Sequence, residues 1–205
     1  GQQGYNQRVL SAVLGTVMEI VPKIQKRPVH AADRKCKKQK RKGIKYMEIR
    51  ILTVGKIKEK YLSDGIAEYA KRLGRYCKLS FFQVPDEKTP DKASDALNIQ
   101  IKDTEGERLM KYIRDQDYVI ALAIDGKMLD SVELSEKIEK LGVSGISSVA
   151  FVIGGSLGLS EKVLQRADYK LSFSKMTFPH QLMQMILLEQ IYRSYRIMNH
   201  EPYHK

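Results

Sequence analysis

The order of apolar segments in this 205-residue chain predicts an α/β fold, with a parallel sheet covered by helices on both faces. From Met47 onward, short β-branched runs alternate with segments whose apolar residues recur at helical spacing. Hydrophobic residues make up 42% of the chain, which is enough to bury the core of one ordinary domain. In such sheets, ligands bind outside the carboxyl ends of the strands, so the turns at those ends are the first places to look for a site.

Ten elements are expected after Met47. Runs of β-branched and aromatic residues bounded by turn residues predict the strands, and apolar residues three or four positions apart predict the helices. The strands are expected at residues 47–54, 79–84, 118–123, 149–153 and 169–173. The helices are expected at residues 61–73, about 98–113, 131–141, 160–167 and 181–198.

Capping and turn residues set the ends of several elements. Gly74 is a C-cap signal for the first helix, and Asp125 with Gly126 predicts a turn after the third strand. Ser131 is the N-cap candidate of the third helix, and Leu134 three positions later leaves it without a full capping box. These signals keep strands and helices alternating along the whole segment.

The formal charge of +12 is concentrated before Met47. Residues 1–46 contain 12 of the 36 Lys and Arg residues and 2 of the 24 acidic residues, so the net charge is about +10 there and +2 in the remainder. Residues 1–46 are therefore predicted to be a basic N-terminal extension that is disordered or non-native, with an RNA-binding arm at residues 22–46 as the alternative. The folded domain is expected to be residues 47–205.

Cysteine content and hydropathy exclude several classes of protein. Two cysteines, Cys36 and Cys77, are too few for a disulfide framework or a metal site, and a reducing cytoplasm is the simplest location. The apolar run at residues 9–21 contains Glu19 and is too short to span a bilayer. We therefore expect no metal and no membrane partner.

A glycine-rich turn at residues 154–158 follows the fourth strand and has two interpretations. Glycines at the end of a buried strand let the backbone approach a ligand and leave N–H groups free to donate to it. The same five residues match the nucleophile pattern G-x-S-x-G, with Ser156 as nucleophile and Asp168 and a later His in the required order. A serine hydrolase is thus an alternative, although no oxyanion HGGG motif is present and Ser160 predicts a wide loop instead of a tight elbow.

The segment Phe-Ser-Lys-Met-Thr-Phe-Pro-His at residues 173–180 follows the fifth strand. Pro179 favours an extended conformation at Phe178 and suits the entrance to the last helix. Aromatic and small hydroxyl side chains at the carboxyl end of a strand also predict a pocket for a flat, partly apolar ligand such as adenine.

The last helix carries more apolar surface than one core contact needs. One stripe consists of Leu182, Met185, Ile186 and Tyr192, and a second consists of Met183, Leu187, Ile191, Tyr195 and Met198. A surface helix needs one stripe for its own core, so the second predicts a partner, most simply another copy of this chain. The alternative is that the helix is buried centrally within one domain.

Cationic, imidazole and phenolic groups crowd the end of the chain. They are Arg193, Arg196, His200, Tyr203, His204 and Lys205. Some of this is explained by the preference of cations for helix C-termini. The density of these groups predicts an anionic partner, with Arg and Lys holding phosphates and Tyr203 stacking on a base.

Taken together, these segments resemble the RlmH family of SPOUT-class RNA methyltransferases from Met47 to Lys205. The resemblance rests on LTVGK, VPDEK, Leu122 with Gly126-Lys127, FVIGGSLGL, LSFSKMTFPH, LEQIYRSYRIM and the final PYHK. It implies a C-terminal trefoil knot, which no hydrophobic pattern could indicate and which general topology rules disfavour. It also implies a homodimer and has no counterpart for residues 1–46.

The resemblance further implies S-adenosylmethionine as the methyl donor. The matching positions are Leu122, Gly154, Phe173, Ser174, Lys175, Met176, Thr177 and Phe178, with Gly155 and Gly158 shaping the cavity. The implied reaction is methylation of N3 of a pseudouridine in 23S ribosomal RNA on assembled ribosomes.

In this reaction His204 is the expected general base and Arg193 the group that stabilises negative charge, while Tyr203 and Lys205 position the nucleotide. Gln184 stands where family members often have a basic residue, which puts a phosphate contact there in doubt. Besides the hydrolase, a non-catalytic RNA-binding module stays open on the residues alone.

Overall fold

The computed structural model describes residues 47–203, which form an α/β fold on a five-stranded, entirely parallel sheet. The strands are β1 (Glu48–Val54), β2 (Lys78–Val84), β3 (Tyr118–Met128), β4 (Ser148–Ile153) and β5 (Tyr169–Ser172). The helices are α1 (Lys60–Leu73), α2 (Asp95–Met110), α3 (Ser131–Val143), α4 (Glu161–Arg166) and α5 (His180–Met198). The predicted fold class and element order are confirmed. The predicted extension, residues 1–46, and the tail residues His204 and Lys205 lie outside the described part.

The strands lie in the order β2-β1-β4-β3-β5, and helices cover both faces of the sheet. One apolar cluster joins the sheet to α1, α3 and α5, and a second joins it to α2 and α4. Every residue of the central strand β4 is buried, as expected for a parallel strand covered on both sides. The core therefore has two layers, one on each face.

The start of α3 differs from the sequence expectation. Asp130 is the N-cap, and its carboxylate accepts hydrogen bonds from the backbone N–H groups of Val132 and Glu133, both at 2.8 Å. The Glu133 carboxylate accepts the Asp130 backbone N–H in return, at 2.8 Å. Ser131 is thus the first helical residue, and a full capping box is present. The N-cap lies one residue before the predicted one because the Asp130 carboxylate accepts these N–H groups, while the Ser131 hydroxyl donates to Gln190.

The predicted turn at Asp125 and Gly126 is also wrong, because β3 continues past it to Met128. Leu171 in β5 lies opposite both Leu122 and Lys127 of β3, so the residues between these two bulge around it. A methyl group built on Gly126 would lie 2.8 Å from the backbone carbonyl carbon of Leu171. The two backbones therefore approach as closely as glycine permits. The trefoil knot itself stays a prediction.

Both apolar stripes of α5 are used within the chain. The helix lies between α1 and α3, and Leu187 and Ile191 are fully buried. Met185 of the other stripe lies against Gly65 of α1, where an added methyl group would be 2.5 Å from its sulfur. Tyr192 of the same stripe packs on the ring of Tyr69, with centroids 6.2 Å apart. Contacts within the chain therefore use part of both stripes, and the second copy stays a prediction.

A buried ionic cluster joins the amino ends of β1, β3 and β4. Arg50 pairs with Asp117, and their side chains are 4% and 0% exposed. The Asp117 carboxylate also accepts the Ser148 hydroxyl at 2.6 Å and the Arg114 backbone N–H at 2.9 Å. Burial opposes ionisation of Asp117, but these hydrogen bonds outweigh it and hold its pKa below the ordinary value. The cluster fixes three strands at one edge of the sheet.

Replacing Asp117 by Asn leaves the buried Arg50 guanidinium without a counter-charge. We expect a loss of about 3 to 5 kcal/mol in the free energy of unfolding, measured by urea denaturation at pH 7. Because the folded-state pKa of Asp117 is lowered, its contribution is complete above its ordinary pKa of 3.8 and disappears as the pH falls through the folded value. The matched control is Asp64→Asn, which removes an exposed partner of Lys60 and should change stability by less than about 1 kcal/mol. Equal losses in the two variants would contradict the role of the cluster.

Replacing Gly126 by Ala places a methyl group against the backbone of β5. Because backbone atoms cannot give way like the end of a side chain, we expect a loss of about 1 to 3 kcal/mol or more by thermal unfolding. Gly74→Ala is the control, since its added methyl group would meet nothing closer than 3.4 Å and its φ is −58°. A Gly126→Ala protein as stable as the control would show that the two backbones are not tightly apposed.

Candidate functional site

Three of the predicted ligand-binding positions lie on or just after neighbouring strands, at the same edge of the sheet. Leu122 lies on β3 where the bulge begins, Gly154 follows β4, and Phe173 follows β5. The strands are parallel and β3 lies between the other two, so their carboxyl ends meet. The structure therefore brings these three segments together, as the sequence predicted.

The glycine turn after β4 is tight. The backbone N–H of Gly158 donates to the carbonyl of Gly155 at 3.2 Å, and these two residues form an isolated antiparallel bridge. A methyl group on Gly154 would lie 2.5 Å from the carbonyl carbon of Gly158, whose φ is +86°. The wide loop expected from Ser160 is wrong, because the chain folds back on itself before that N-cap.

The geometry separates the residues of the hydrolase alternative. Ser156 is exposed in the turn that follows β4, at the carboxyl edge of the sheet. Asp168 precedes β5 at the opposite edge, where its carboxylate accepts the Val119 backbone N–H at 2.7 Å. A strand of six residues separates the two edges by about 20 Å. Ser156 and Asp168 therefore cannot belong to one catalytic triad.

A cavity of about 300 Å³ opens at the carboxyl ends of β3 and β5. Its lining consists of Leu129, Asp130, Ser131, Leu134, Leu171, Ser172, Phe173, Ile186 and Gln190. Apolar walls with a few hydroxyl, carboxylate and amide groups suit a small, partly polar ligand. Of the predicted ligand-binding residues, only Phe173 lines this cavity. The α3 and α5 residues were missed because the bulge around Leu171, which brings them to β5, has no sequence signal.

Side-chain hydrogen bonds order the start of the segment that leaves β5. The Ser172 hydroxyl lies within hydrogen-bond distance of two carbonyl oxygens, at 2.9 Å from that of Ile124 and 3.1 Å from that of Ser174. The Met176 backbone N–H donates to the Ser174 hydroxyl at 3.0 Å. The small hydroxyls thus shape this segment locally, whereas the Met176 side chain is exposed.

The segment at residues 173–179 crosses the carboxyl edge of the sheet. It ends at His180, where a methyl group on Gly55 at the end of β1 would lie 3.1 Å from the imidazole Nε2. Next to it, the Lys58 backbone N–H donates to the Gln181 side-chain carbonyl at 3.0 Å. Since β3 and β4 lie between β5 and β1, the segment passes the ends of both strands. The segment at residues 173–179 therefore passes the predicted ligand-binding positions on β3 and after β4.

His180 is half-buried at the start of α5. Burial lowers its pKa below 6.5, while the nearby Asp86 carboxylate acts in the opposite direction. The imidazole is therefore neutral at pH 7 and contributes no positive charge at this edge.

Glu105 is a functional candidate that the sequence analysis missed. Its side chain on α2 is buried, with the residue 4% exposed, and one carboxylate oxygen accepts the Glu87 backbone N–H at 2.9 Å. The other oxygen has no hydrogen-bond partner and lies beside Gly155, where a methyl group would be 2.9 Å away. Burial raises the pKa of Glu105. The available signal was a Glu at an apolar position of the helix, four residues after Ile101 and four before Leu109.

The described part of the tail folds back along α5. His200 has a φ of +54°, where the chain reverses, and the Tyr203 hydroxyl donates to the Glu189 carboxylate at 3.2 Å. Arg193 donates to the same carboxylate at 2.7 Å and lies 4.8 Å from the centre of the Tyr203 ring. The structure thus brings Tyr203 and Arg193 together within one chain, and their roles toward RNA stay predictions. The Tyr203 ring is half-buried against Tyr192 and would have to leave this packing to stack on a base.

The remaining residues considered for RNA contact are Arg196, Gln184, His204 and Lys205. Arg196 is paired with Glu201 in the reversed chain. Gln184 is 6% exposed within the core of α5, so this position faces the protein and not a phosphate. His204 and Lys205 lie outside the described residues, and their expected roles stay predictions.

Two features of residues 47–203 bear on possible partners. None of the described helices is long and apolar enough to cross a membrane. The same residues contain no group of three or more His, Cys, Asp or Glu side chains that could hold a metal ion.

Comparison with known proteins identifies close relatives of residues 47–205. The family model described as "Predicted SPOUT methyltransferase" matches residues 47–204. Proteins named ribosomal RNA large subunit methyltransferase H from Bifidobacterium adolescentis, Alkaliphilus oremlandii and Enterococcus faecalis are 65%, 62% and 57% identical to this chain. Each alignment covers 159 residues, which is 78% of this chain and 100% of the relative.

Proposed function

We infer, from the premise that this chain belongs to the SPOUT methyltransferase family, that it methylates ribosomal RNA of the large subunit. The observation that carries this inference is the alignment of the relatives over their whole length at 57% to 65% identity. Their common name specifies the substrate. Two of the motifs quoted above contribute to the cavity, LSFSKMTFPH through Phe173 and LEQIYRSYRIM through Gln190, and PYHK contributes Tyr203 to the tail.

The proposed substrate atom is N3 of a pseudouridine in 23S ribosomal RNA, modified on assembled ribosomes in the cytoplasm. The resemblance to the RlmH family supports this choice, and the cationic groups near the chain end suit a phosphate backbone. We also propose that the enzyme acts as a homodimer. The support for the dimer is the resemblance and the stripe residues of α5 that stay half-buried, which are Met183, Met185, Ile186, Tyr192 and Met198.

S-adenosylmethionine is the proposed methyl donor, and the residues at the carboxyl edge fit it. A cavity of about 300 Å³ lies at the lower end of the range for small-molecule sites and suits the adenosine portion. Phe173 and Leu129 would form its apolar walls, and the Ser131 hydroxyl and Gln190 amide would meet polar groups. Leu122, the glycine turn and the rest of residues 173–178 would hold the remainder.

When bound, the donor supplies an electrophilic methyl group on a sulfonium. The protein must chiefly align the accepting nitrogen with that methyl group and exclude water. We assign both tasks to the segment at residues 173–179. The N3 proton must also leave, and His204 is the proposed base. Arg193 would stabilise the negative charge after exchanging Glu189 for the RNA, and Tyr203 and Lys205 would position the nucleotide.

The direct test is mass spectrometry of ribosomal RNA nucleosides. Ribosomes from a strain lacking its own enzyme are incubated with this protein and S-adenosylmethionine, and one new methylpseudouridine is expected. Omitting the donor is the control. An unmodified pseudouridine would overturn the assignment, and normal transfer by His204→Ala would remove the base role alone. Absence of any calorimetric binding of the donor would favour the RNA-binding module.

Phe173→Ala should weaken donor binding because it removes an aromatic wall of the cavity. We expect the dissociation constant for S-adenosylmethionine to rise about tenfold by isothermal titration calorimetry. The matched control is Phe81→Ala, which removes a ring that is 43% exposed on the edge strand β2 and lines no part of the cavity. Unchanged affinity in Phe173→Ala would place the donor elsewhere.

A further inference from the structure

A continuous chain of side-chain hydrogen bonds connects the cavity to the tail. The Ser131 hydroxyl at the cavity rim donates to the Gln190 side-chain carbonyl at 2.8 Å. The Gln190 amide nitrogen donates to one oxygen of Glu189 at 2.6 Å. The other Glu189 oxygen accepts Arg193 at 2.7 Å and the Tyr203 hydroxyl at 3.2 Å. Two proposed functional regions thus share one polar network.

Adjacent positions on α5 make this connection possible. Consecutive residues of a helix point about 100° apart, so Gln190 reaches the start of α3 while Glu189 reaches the reversed tail. Gln190 belongs to the lining of the cavity, and Glu189 does not. The pair therefore links the cavity to the reversed tail.

The environment makes the Glu189 carboxylate an effective anchor. Its side chain is 18% exposed and that of Arg193 is 16% exposed, so water screens this ion pair less than a surface pair. Hydrogen bonds to an ionised group are also stronger than those between neutral groups. The donors from Gln190, Arg193 and Tyr203 all depend on this one carboxylate.

We propose that Glu189 is a positioning residue that docks the C-terminal tail along α5, and that Gln190 couples this docking to occupation of the cavity. The coupling rests on the proposed function, since it takes the methyl donor as the occupant. A ligand that hydrogen-bonds to the Gln190 amide competes with Ser131 and Glu189 for it, which changes the strength of the anchor. By thermodynamic reciprocity, the docked tail must in turn change donor affinity.

The chain contains no Trp, so Tyr203→Trp introduces a single fluorescent reporter in the tail. The indole keeps an aromatic ring and an N–H donor for Glu189. Acrylamide quenching of this residue measures whether the tail is docked, and it needs no ligand. All further variants are made in this background and in the full chain.

The first arm tests the anchor without ligand. Glu189→Gln removes the charge that holds Arg193 and the tail, so the equilibrium constant for docking should fall roughly tenfold and quenching should rise. The control is Glu136→Gln, which neutralises an exposed carboxylate paired with Lys140 on α3. Equal quenching in Glu189→Gln and in the control would overturn the positioning role.

The second arm tests the coupling. Adding S-adenosylmethionine should change the quenching of the reporter, and Gln190→Ala should abolish that change while calorimetry still detects donor binding. Gln165→Ala, on the exposed side of α4, is the control and should leave the response intact. A response that persists in Gln190→Ala, or no response in a protein that binds the donor, would overturn the coupling. A protein that binds no donor would overturn the proposed function and the coupling together, while the first arm would still decide the role of Glu189.

Discussion

The close approach of two backbones at Gly126 is the constraint on which the site depends. Residues 123–126 bulge around Leu171, and any side chain at Gly126 would collide with the backbone of β5. The bulge of β3 around Leu171 brings the start of α3 beside the end of β5, so that Ser131 and Phe173 line one cavity. It also sends the following segment across the carboxyl edge toward α5. The cavity, the segment at residues 173–179 and the placement of α5 therefore all depend on the close approach at Gly126.

Near the end of the described residues, both arginines of the last helical turns are paired with carboxylates. Glu189 neutralises Arg193, and Glu201 neutralises Arg196. A phosphate must therefore displace these carboxylates before the arginines can bind it. This requirement lowers the affinity for RNA and disfavours RNA that cannot displace them. The same holds for Tyr203, because it must give up its contacts with α5 before it can contact RNA. The described part of the tail, up to Tyr203, is thus held by Glu189 and by the pair of Arg196 with Glu201.

Local patterns predicted the elements well and the close contacts poorly. The strands and helices followed from periodicity, and the predicted ligand turns met because parallel strands end at one edge. The bulge past Gly126 was missed because its cause is contact with a segment 45 positions away. The two flanking helices of α5 were likewise not predicted, and they use part of the apolar surface from which a second copy was predicted. Glu105 had a signal, a charged residue at an apolar helical position, that was overlooked.

We propose that the cavity beside the close approach of β3 and β5 holds the methyl donor. The decisive experiment is a crystal structure of the protein with S-adenosylmethionine. Electron density for the donor is expected between Phe173 and Gln190, with the glycine turn beside it. Density for the donor at another place on the protein, with this cavity filled only by water, would exclude the cavity as the donor site.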